Sequence, residues 1–223
     1  MSAFIELKDV KKTYKMGEVE INALDGVDFE ICHTLTEEEQ EKAVVYLDER
    51  LFRSPTVAVM ECDNYTSQMA IISKVTILKA LNLVFAYDKE EAELIKENET
   101  ILDTYEDELG TYLVKLSSKN LSAKDSRRLN MIQHSIGDFE RISDHALTIA
   151  DAAKEINEKQ ISFSHAAQAE LLKLSDAVSE IVAISVKAFI DNDNDLAHRV
   201  EPLEETIDML CDELKLRHIS RVQ

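Results

Sequence analysis

The alternation of apolar and polar residues changes its period near residue 31. Before that point, apolar residues recur at every second position in short runs that are broken by glycine. This period is typical of a β-strand that shows one face to a core, and glycine marks turns. We therefore predict a strand–turn–strand hairpin over residues 1–31. The residues that define it are Val19, Ile21, Val27, Phe29, Ile31, Gly17 and Gly26.

After residue 36 the apolar residues recur at steps of three and four, and only two Gly and two Pro remain. That pattern predicts helices throughout. We expect the first to begin near Thr36, where the residues fit a capping box, and to break at Ser54-Pro55 because proline disfavours a helical conformation in the preceding residue. The expected helical ranges are about 36–54, 55–87, 89–118, 122–157, 164–190 and 196–223.

Long helices joined by short loops indicate an antiparallel bundle, so the predicted fold class is mainly α with a short N-terminal β-hairpin. The last helix carries a seam that alternates steps of four and three, as in a coiled coil. Its members are Leu196, Val200, Leu203, Ile207, Leu210 and Leu214.

The 223-residue chain carries a formal net charge of −19, and 31% of its residues are charged. Tight nucleic-acid binding needs cations that replace phosphate counterions, so this composition argues against nucleic acid as a partner. The charge is compatible with bound metals, other cations and basic proteins.

The three cysteines are odd in number and widely spaced, which indicates reduced thiols and a cytosolic setting. No uncharged apolar run reaches the length of a membrane span, and the N-terminus lacks the apolar core of a signal peptide. The six histidines are scattered, and none has a Ser or Cys placed beside it for activation, so we expect no catalytic role.

Three Glu-x-x-x-Asp pairs place two carboxylates on one side of a helix, because residues four apart are neighbours on its surface. They are Glu99/Asp103, Glu140/Asp144 and Glu204/Asp208, and Asp107 continues the first row. Carboxylates from adjacent helices are a common way for a bundle to hold metal ions. Solvated acids are the alternative, since a chain with 44 acids contains such pairs by chance.

Several motifs resemble the PhoU family. "FERISDHALTIADAAKEI" (139–156) looks like the signature that ends the first three-helix bundle of PhoU proteins. "YLDERLFRSPTVAV" (46–59) is similar to the segment after the membrane domain in bacterial sodium/phosphate cotransporters of the NptA type. The motifs continue in order to "EETIDMLCDELKLRHISRV" near the C-terminus, and the resemblance covers about residues 44–223.

The resemblance implies two tandem three-helix bundles, at 55–157 and 158–223, after a linker with a short helix at 32–54. It implies a non-enzymatic accessory module of sodium-dependent phosphate transport, at the inner face of the cell membrane beside a membrane transporter domain. A multinuclear iron or zinc cluster would be bound by the Glu-x-x-x-Asp acids. The sixth helix of the family is not present before Gln223, so the second bundle is expected to be truncated and prone to self-association.

The first 31 residues resemble the opening strands of ATP-binding subunits of ABC exporters, with Tyr14 at the adenine-stacking position. No two of the four glycines are five residues apart, so the phosphate-binding loop of an ATPase is absent from this sequence and nucleotide hydrolysis is not expected. Two other interpretations remain open: an inactive fragment of an ABC ATP-binding protein, and a purely structural helical interaction module.

Overall fold

A computed structural model of the protein describes the backbone of residues 5–16, 19–31 and 222, and both backbone and side chains of Val45 and residues 47–221. The chain divides into two compact units, residues 1–43 and 44–223. Within the first unit, strands β1 (Ile5–Met16) and β2 (Val19–Ile31) pair antiparallel, with Met16 opposite Val19. Cys32, the helix start near Thr36 and the Tyr14 side chain lie outside the described residues.

Three long helices begin the second unit: α1 (Pro55–Leu83), α2 (Lys89–Ser117) and α3 (Ala123–Glu158). A short 3-10 helix, Glu49–Arg53, precedes them. The predicted break at Ser54-Pro55 is confirmed, with proline at the first position of α1, where its missing N–H costs nothing. Side-chain caps set the other two starts: Asp88 accepts from the Glu91 N–H, and Ser122 accepts from the Asp125 N–H.

Three more helices follow: α4 (His165–Asp191), α5 (Asn194–Ala197) and α6 (Val200–Val222). The predicted helix start at residue 164 is confirmed, with Ser164 as the N-cap whose side chain accepts from the Ala167 N–H. Asn192 ends α4 with a left-handed φ of 51°. The prediction of one unbroken helix from Leu196 is wrong, since a turn at residues 198–199 separates α5 from α6.

Contacts along the first three helices define an up–down–up bundle. Tyr105 donates to Gln68 Oε1 at 3.2 Å and Asn98 donates to Thr76 at 3.0 Å, so α2 runs antiparallel to α1. Thr56 donates to Asp125 at 2.9 Å, which brings the starts of α1 and α3 together. Large side chains with at most 2% exposure fill the centre: Met69, Ile95, Leu102, Leu109, Leu113, Leu116, Leu129 and Ile132.

Cys62 belongs to this core and is fully buried. Burial, followed by the nearby charge of Glu61, raises the pKa of its thiol to about 12. The thiolate is therefore almost absent at neutral pH, and the thiol behaves as a small apolar side chain.

Helix α4 packs on α1 through residues such as Val186, and it also packs against α6. The ring centroids of Phe139 in α3 and Phe189 in α4 lie 5.1 Å apart in an edge-to-face arrangement. Glu170 in α4 binds Arg221 of α6 at 2.6 Å. The predicted seam of the last helix does face a neighbour, but all six of its members are only half-buried.

One arginine connects three of these helices. Arg128 in α3 forms an ion pair with Asp63 of α1, donates to Asn192 Oδ1 at 3.4 Å beyond the end of α4, and lies 5.0 Å from the centre of the Phe189 ring. Its side chain is 18% exposed, so the contacts are made largely out of solvent. Arg128 thus joins α1 and α3 to α4.

Candidate metal centre

The acids in question lie where α2 and α3 run side by side, and each of the two helices has a glycine in this contact. A Cβ added to Gly137 would lie 3.6 Å from Glu106 Oε1, and one added to Gly110 would lie 3.9 Å from Ile136 Cδ1. Both distances are ordinary van der Waals contacts, so the two positions lie against side chains of the opposite helix. Carboxylates on the two helices come within reach of one another across this contact.

Three predicted site residues meet at this contact. Glu99 and Asp103 of α2 and Asp144 of α3 each bring a carboxylate oxygen to within 4.8 Å of the others. Glu99 is half-buried, whereas Asp103 and Asp144 are exposed. Within the described residues, these three side chains form the group that could bind one metal ion together. The group combines an i, i+4 pair on α2 with an acid from the facing helix.

The electrostatics of Glu140 show that more acids share this surface. Burial raises the pKa of Glu140 to about 7, with further contributions from the charge of Asp144, a hydrogen bond to Asp144, and the charges of Glu106 and Asp103. A carboxyl group that would normally be ionised at pH 7 is therefore only partly ionised. The cause is local: partial burial of the carboxyl group and several like charges nearby.

Two acids of α2 also have raised pKa values. Burial and then the charge of Asp103 raise the pKa of Glu99, to which Asp144 also contributes. The pKa of Asp103 is raised by burial, then by Asp144 and Asp107. Asp107 is exposed and adjoins the group through Asp103. We call these residues the carboxylate cluster: Glu99, Asp103, Glu106, Asp107, Glu140 and Asp144.

The sequence analysis missed Glu106, because it searched only for acids four residues apart. Glu106 follows Asp103 by three positions and Glu99 by seven, which also places it on the same face of α2. A search that included i+3 and i+7 would have found it.

The third predicted pair lies elsewhere. Glu204 and Asp208 are exposed on α6, and no acid of another described helix forms a group with them. His145, next to Asp144, is also exposed and does not belong to the group. Metal binding by Glu204 and Asp208 stays a prediction.

The carboxylate cluster fits a cation that prefers oxygen ligands. All six side chains offer carboxylate oxygens, and their mutual repulsion would be relieved by a bound positive charge. Hard cations take such ligands, while zinc usually adds nitrogen or sulfur donors. Of the two predicted metals, the residues therefore suit iron(III) better than zinc.

Comparison with known proteins places a family on this part of the chain. Residues 66–153 match the PhoU domain. This segment contains all of α2, most of α1 and α3, and every member of the carboxylate cluster. The helical bundle of the structure agrees with such a domain, so the protein is PhoU-like over this region.

A curated relative supports the same conclusion. The chain is 23% identical over 145 residues to a "Phosphate-specific transport system accessory protein PhoU homolog" of Clostridium acetobutylicum. The aligned region covers 64% of this chain and 65% of that protein, so the chain spans less than two thirds of the relative's length. No solved structure matches the chain.

These comparisons concern the helical unit. The likeness of residues 1–31 to ABC exporter subunits, and the link to sodium/phosphate cotransporters, stay predictions. None of the helices in the described part of the chain combines the length and the apolar character needed to cross a membrane.

Proposed function

We propose that the protein is a non-enzymatic accessory or regulatory module of phosphate transport that binds a metal cluster through the carboxylate cluster of α2 and α3. The match of residues 66–153 to the PhoU domain carries this proposal, because that segment includes every acid of the cluster. The name of the Clostridium relative supports the phosphate-transport role. Regulation of phosphate homeostasis follows if metal loading changes how the module contacts its transporter.

The cation would be held mainly by Glu99, Asp103 and Asp144, with Glu140 and Glu106 as further ligands. The convergence of three carboxylates within 4.8 Å supports this assignment. The exposure of Asp103 and Asp144 gives a path for a hydrated ion, and the half-buried Glu99 would strengthen its attraction to the ion. When bound, iron or zinc would supply positive charge that neutralises the cluster.

Calorimetric titration of metal-free protein with Fe³⁺ chelate or Zn²⁺ tests the site. The Glu140→Gln/Asp144→Asn variant should lose binding, because two charged ligands become neutral amides. Glu204→Gln/Asp208→Asn is the matched control, since it makes the same change in charge at the same spacing on α6. Equal binding by wild type and the first variant would remove the site, and equal loss in both variants would indicate a general charge effect.

The proposed partner is a membrane phosphate transporter domain of the sodium/phosphate cotransporter type, reached from the inner face of the membrane. Vesicles that carry such a transporter without its own C-terminal domain provide the test. Added protein should co-sediment with these vesicles and change sodium-driven uptake of radioactive phosphate. Absence of both effects, with metal-loaded protein, would refute the transport role and leave the metal site to be judged separately.

A further inference from the structure

One end of the first three helices, where α1 and α3 begin and α2 ends, is rich in basic residues. Residues 48–56 and 115–128 contain seven Lys and Arg but only three acids, although acids outnumber bases 44 to 25 in the whole chain. We call these two ranges the basic end. Its basic residues are Arg50, Arg53, Lys115, Lys119, Lys124, Arg127 and Arg128.

Direct contacts bring the two ranges together in space. The Lys115 Nζ lies 2.6 Å from Glu49 Oε1, and the Lys119 Nζ lies 5.1 Å from the centre of the Phe52 ring. The starts of α1 and α3 meet at the same end of the bundle. The short 3-10 helix, the end of α2 and the starts of α1 and α3 therefore share one surface.

The three acids of the basic end already have partners. Asp48 binds Arg50 at 2.6 Å, and Glu49 binds Lys115. Asp125 accepts hydrogen bonds from two hydroxyl groups, at 2.8 and 2.9 Å, and these bonds hold the pKa of its carboxyl group below the usual range. None of the three is available to neutralise a further cation.

Four basic residues of this surface are consequently left without an acid. Arg128 pairs with Asp63. The other four are exposed, and none of them forms an ion pair with a residue in the part of the chain that the structure describes. They are Arg53, Lys119, Lys124 and Arg127.

The helix dipoles add to the positive potential of the basic end. Helices α1 and α3 have 29 and 36 residues, and both direct their N-termini, the positive ends of their dipoles, to this surface. The first turn of α1 contains no acid, and the Ser54 side chain does not cap it. Lys124 lies in the first turn of α3, where the dipole disfavours a cation. A bound anionic surface would turn these unfavourable placements into favourable ones.

The nearest other acids lie back from this surface. Glu61 is six residues into α1 and Glu108 is nine residues before the end of α2, which corresponds to about 9 and 14 Å along the helices. The loop at residues 191–195 carries three acids and meets α3 at Arg128, about 8 Å from the start of that helix. Because the Debye length at physiological salt is about 8 Å, these acids weaken the attraction of an anionic surface without cancelling it.

Exposed apolar residues beside the cations indicate which anionic surface fits. Val57 in the first turn of α1 is 42% exposed, and Val114 in the last turn of α2 is 61% exposed. The headgroup region of a bilayer accepts cations and apolar side chains together, whereas phosphates of a nucleic acid attract only the cations. Lipid headgroups also move laterally, so each cation can meet one. An acidic protein would need carboxylates at the fixed spacing of these side chains.

From these observations we infer that the basic end is a docking surface for a bilayer of anionic phospholipid, on which the first three helices stand end-on. Each basic residue close to such a bilayer strengthens binding by about fivefold. The inference goes beyond the proposed function, because this docking needs neither a bound metal nor a transporter.

Co-sedimentation of the full chain with pure lipid vesicles, in buffer with a metal chelator, tests the inference. The wild type should bind vesicles with about 30% phosphatidylglycerol in phosphatidylcholine, but not vesicles of phosphatidylcholine alone. Binding should be lost at about 0.5 M salt because the charges are screened. The Lys124→Gln/Arg127→Gln variant should bind about 25-fold more weakly. Its melting temperature should not fall, since both side chains are exposed.

The matched control is Lys89→Gln/Lys154→Gln, which removes two exposed positive charges at the opposite end of the same helices. Lys89 is the first residue of α2, and Lys154 lies four residues before the end of α3. Because these positions are about 40 Å from the basic end along the helices, the control should bind as tightly as the wild type.

Four results would overturn the inference. The first is a wild type that does not bind the phosphatidylglycerol vesicles, and the second is a Lys124→Gln/Arg127→Gln variant that binds as tightly as the wild type. The third is equal weakening in the control, which would indicate a dependence on net charge alone. The fourth is loss of vesicle binding when inorganic phosphate replaces chloride at constant ionic strength, which would assign the cations to free phosphate. The metal titration uses no lipid, so each proposal can fail without the other.

Discussion

The acid pair on α2 and the acid pair on α6 have the same spacing in the sequence but different surroundings in the structure. Glu99 and Asp103 meet Asp144 of the facing helix, whereas Glu204 and Asp208 lie exposed without such a partner among the described helices. The spacing fixes only which side of a helix the carboxylates share. A candidate site arises when a second helix brings its own acid to that side.

The same two regions differ in how they are packed. Helices α1, α2 and α3 together hold nearly all of the fully buried side chains, while every described residue of α6 is half-buried or exposed. Tight packing of α2 on α3 is what brings the acids together, so the site and the core depend on the same contact. The α4–α6 pair is held by a half-buried seam and by ion pairs such as Glu170–Arg221.

The largest expected difference between the two regions is in the free energy of unfolding that is lost when a packed apolar side chain is truncated. Leu102→Ala removes a fully buried side chain from α2 and should lower the free energy of unfolding by about 2–5 kcal/mol. Leu203→Ala, at a half-buried seam position of α6, should cost about 1 kcal/mol. Urea denaturation followed by circular dichroism measures both. Similar costs would show that the α6 seam is as tightly packed as the bundle core.

The next largest effect is expected from Arg128, which links the first helices to α4. Arg128→Met should lower the free energy of unfolding by about 1–3 kcal/mol, because Asp63 and Asn192 lose a donor while Phe189 keeps an apolar neighbour. Hydrogen exchange should then speed up in α4 more than in α1. Arg127→Met, at an exposed neighbouring position, is the control and should change little. Uniform acceleration along all helices would contradict a linking role.

The carboxylate cluster predicts an unusual pH dependence in metal-free protein. Because the pKa of Glu140 is raised to about 7, the folded protein binds more protons than the unfolded chain between about pH 4.5 and 7. The contribution of Glu140 is therefore favourable at the acidic end of this window and falls as pH rises through it. After allowance for solvent screening, the change is about 1 kcal/mol.

Glu140→Gln isolates this effect, since the amide cannot ionise. At pH 8 with chelator present, the variant should melt at a higher temperature than wild type, and the difference should vanish near pH 4.5. Glu204→Gln changes an exposed acid of α6 and serves as the comparison, with no such pH-dependent gain. A Glu140→Gln variant that is less stable than wild type at pH 8 would show that the cluster does not repel internally.

The smallest expected effect concerns the glycine in the α2–α3 contact. Gly110→Ala places a methyl group 3.9 Å from Ile136 Cδ1, an ordinary contact distance, and replaces a poor helix former by the best one. We expect a gain of about 0.5–1 kcal/mol in the free energy of unfolding. A loss measured by urea denaturation would show that α2 and α3 are closer than this distance indicates.

Local rules predicted much of the helical part. Ser54-Pro55, Ser122 and Ser164 each mark a helix start that the structure confirms, because proline and side-chain caps act within one turn. Helix ends were harder to place. The turn at residues 198–199 falls within a regular apolar seam, and no proline or glycine marks it.

The candidate site was predictable only in part. The i, i+4 rule identified Glu99, Asp103 and Asp144, but it gave equal weight to Glu204 and Asp208. Which pairs meet depends on how helices face each other, and that is decided by packing between distant parts of the chain. The exposed apolar residues of α1, among them Met60 and Ile71, were missed for a related reason: an apolar helix residue is interpreted as core until the structure shows which side neighbouring helices cover.

The different burial of Cys62 and Cys211 makes the two thiols chemical reporters of local unfolding. The protonated thiol of Cys62 is shielded in the first bundle, whereas Cys211 is half-buried on α6. In a Cys32→Ser background, an alkylating reagent should label Cys211 early and reach Cys62 only when the bundle opens. The two labelling rates would report how fast each region opens in the same molecule, from cysteines that the sequence already contains.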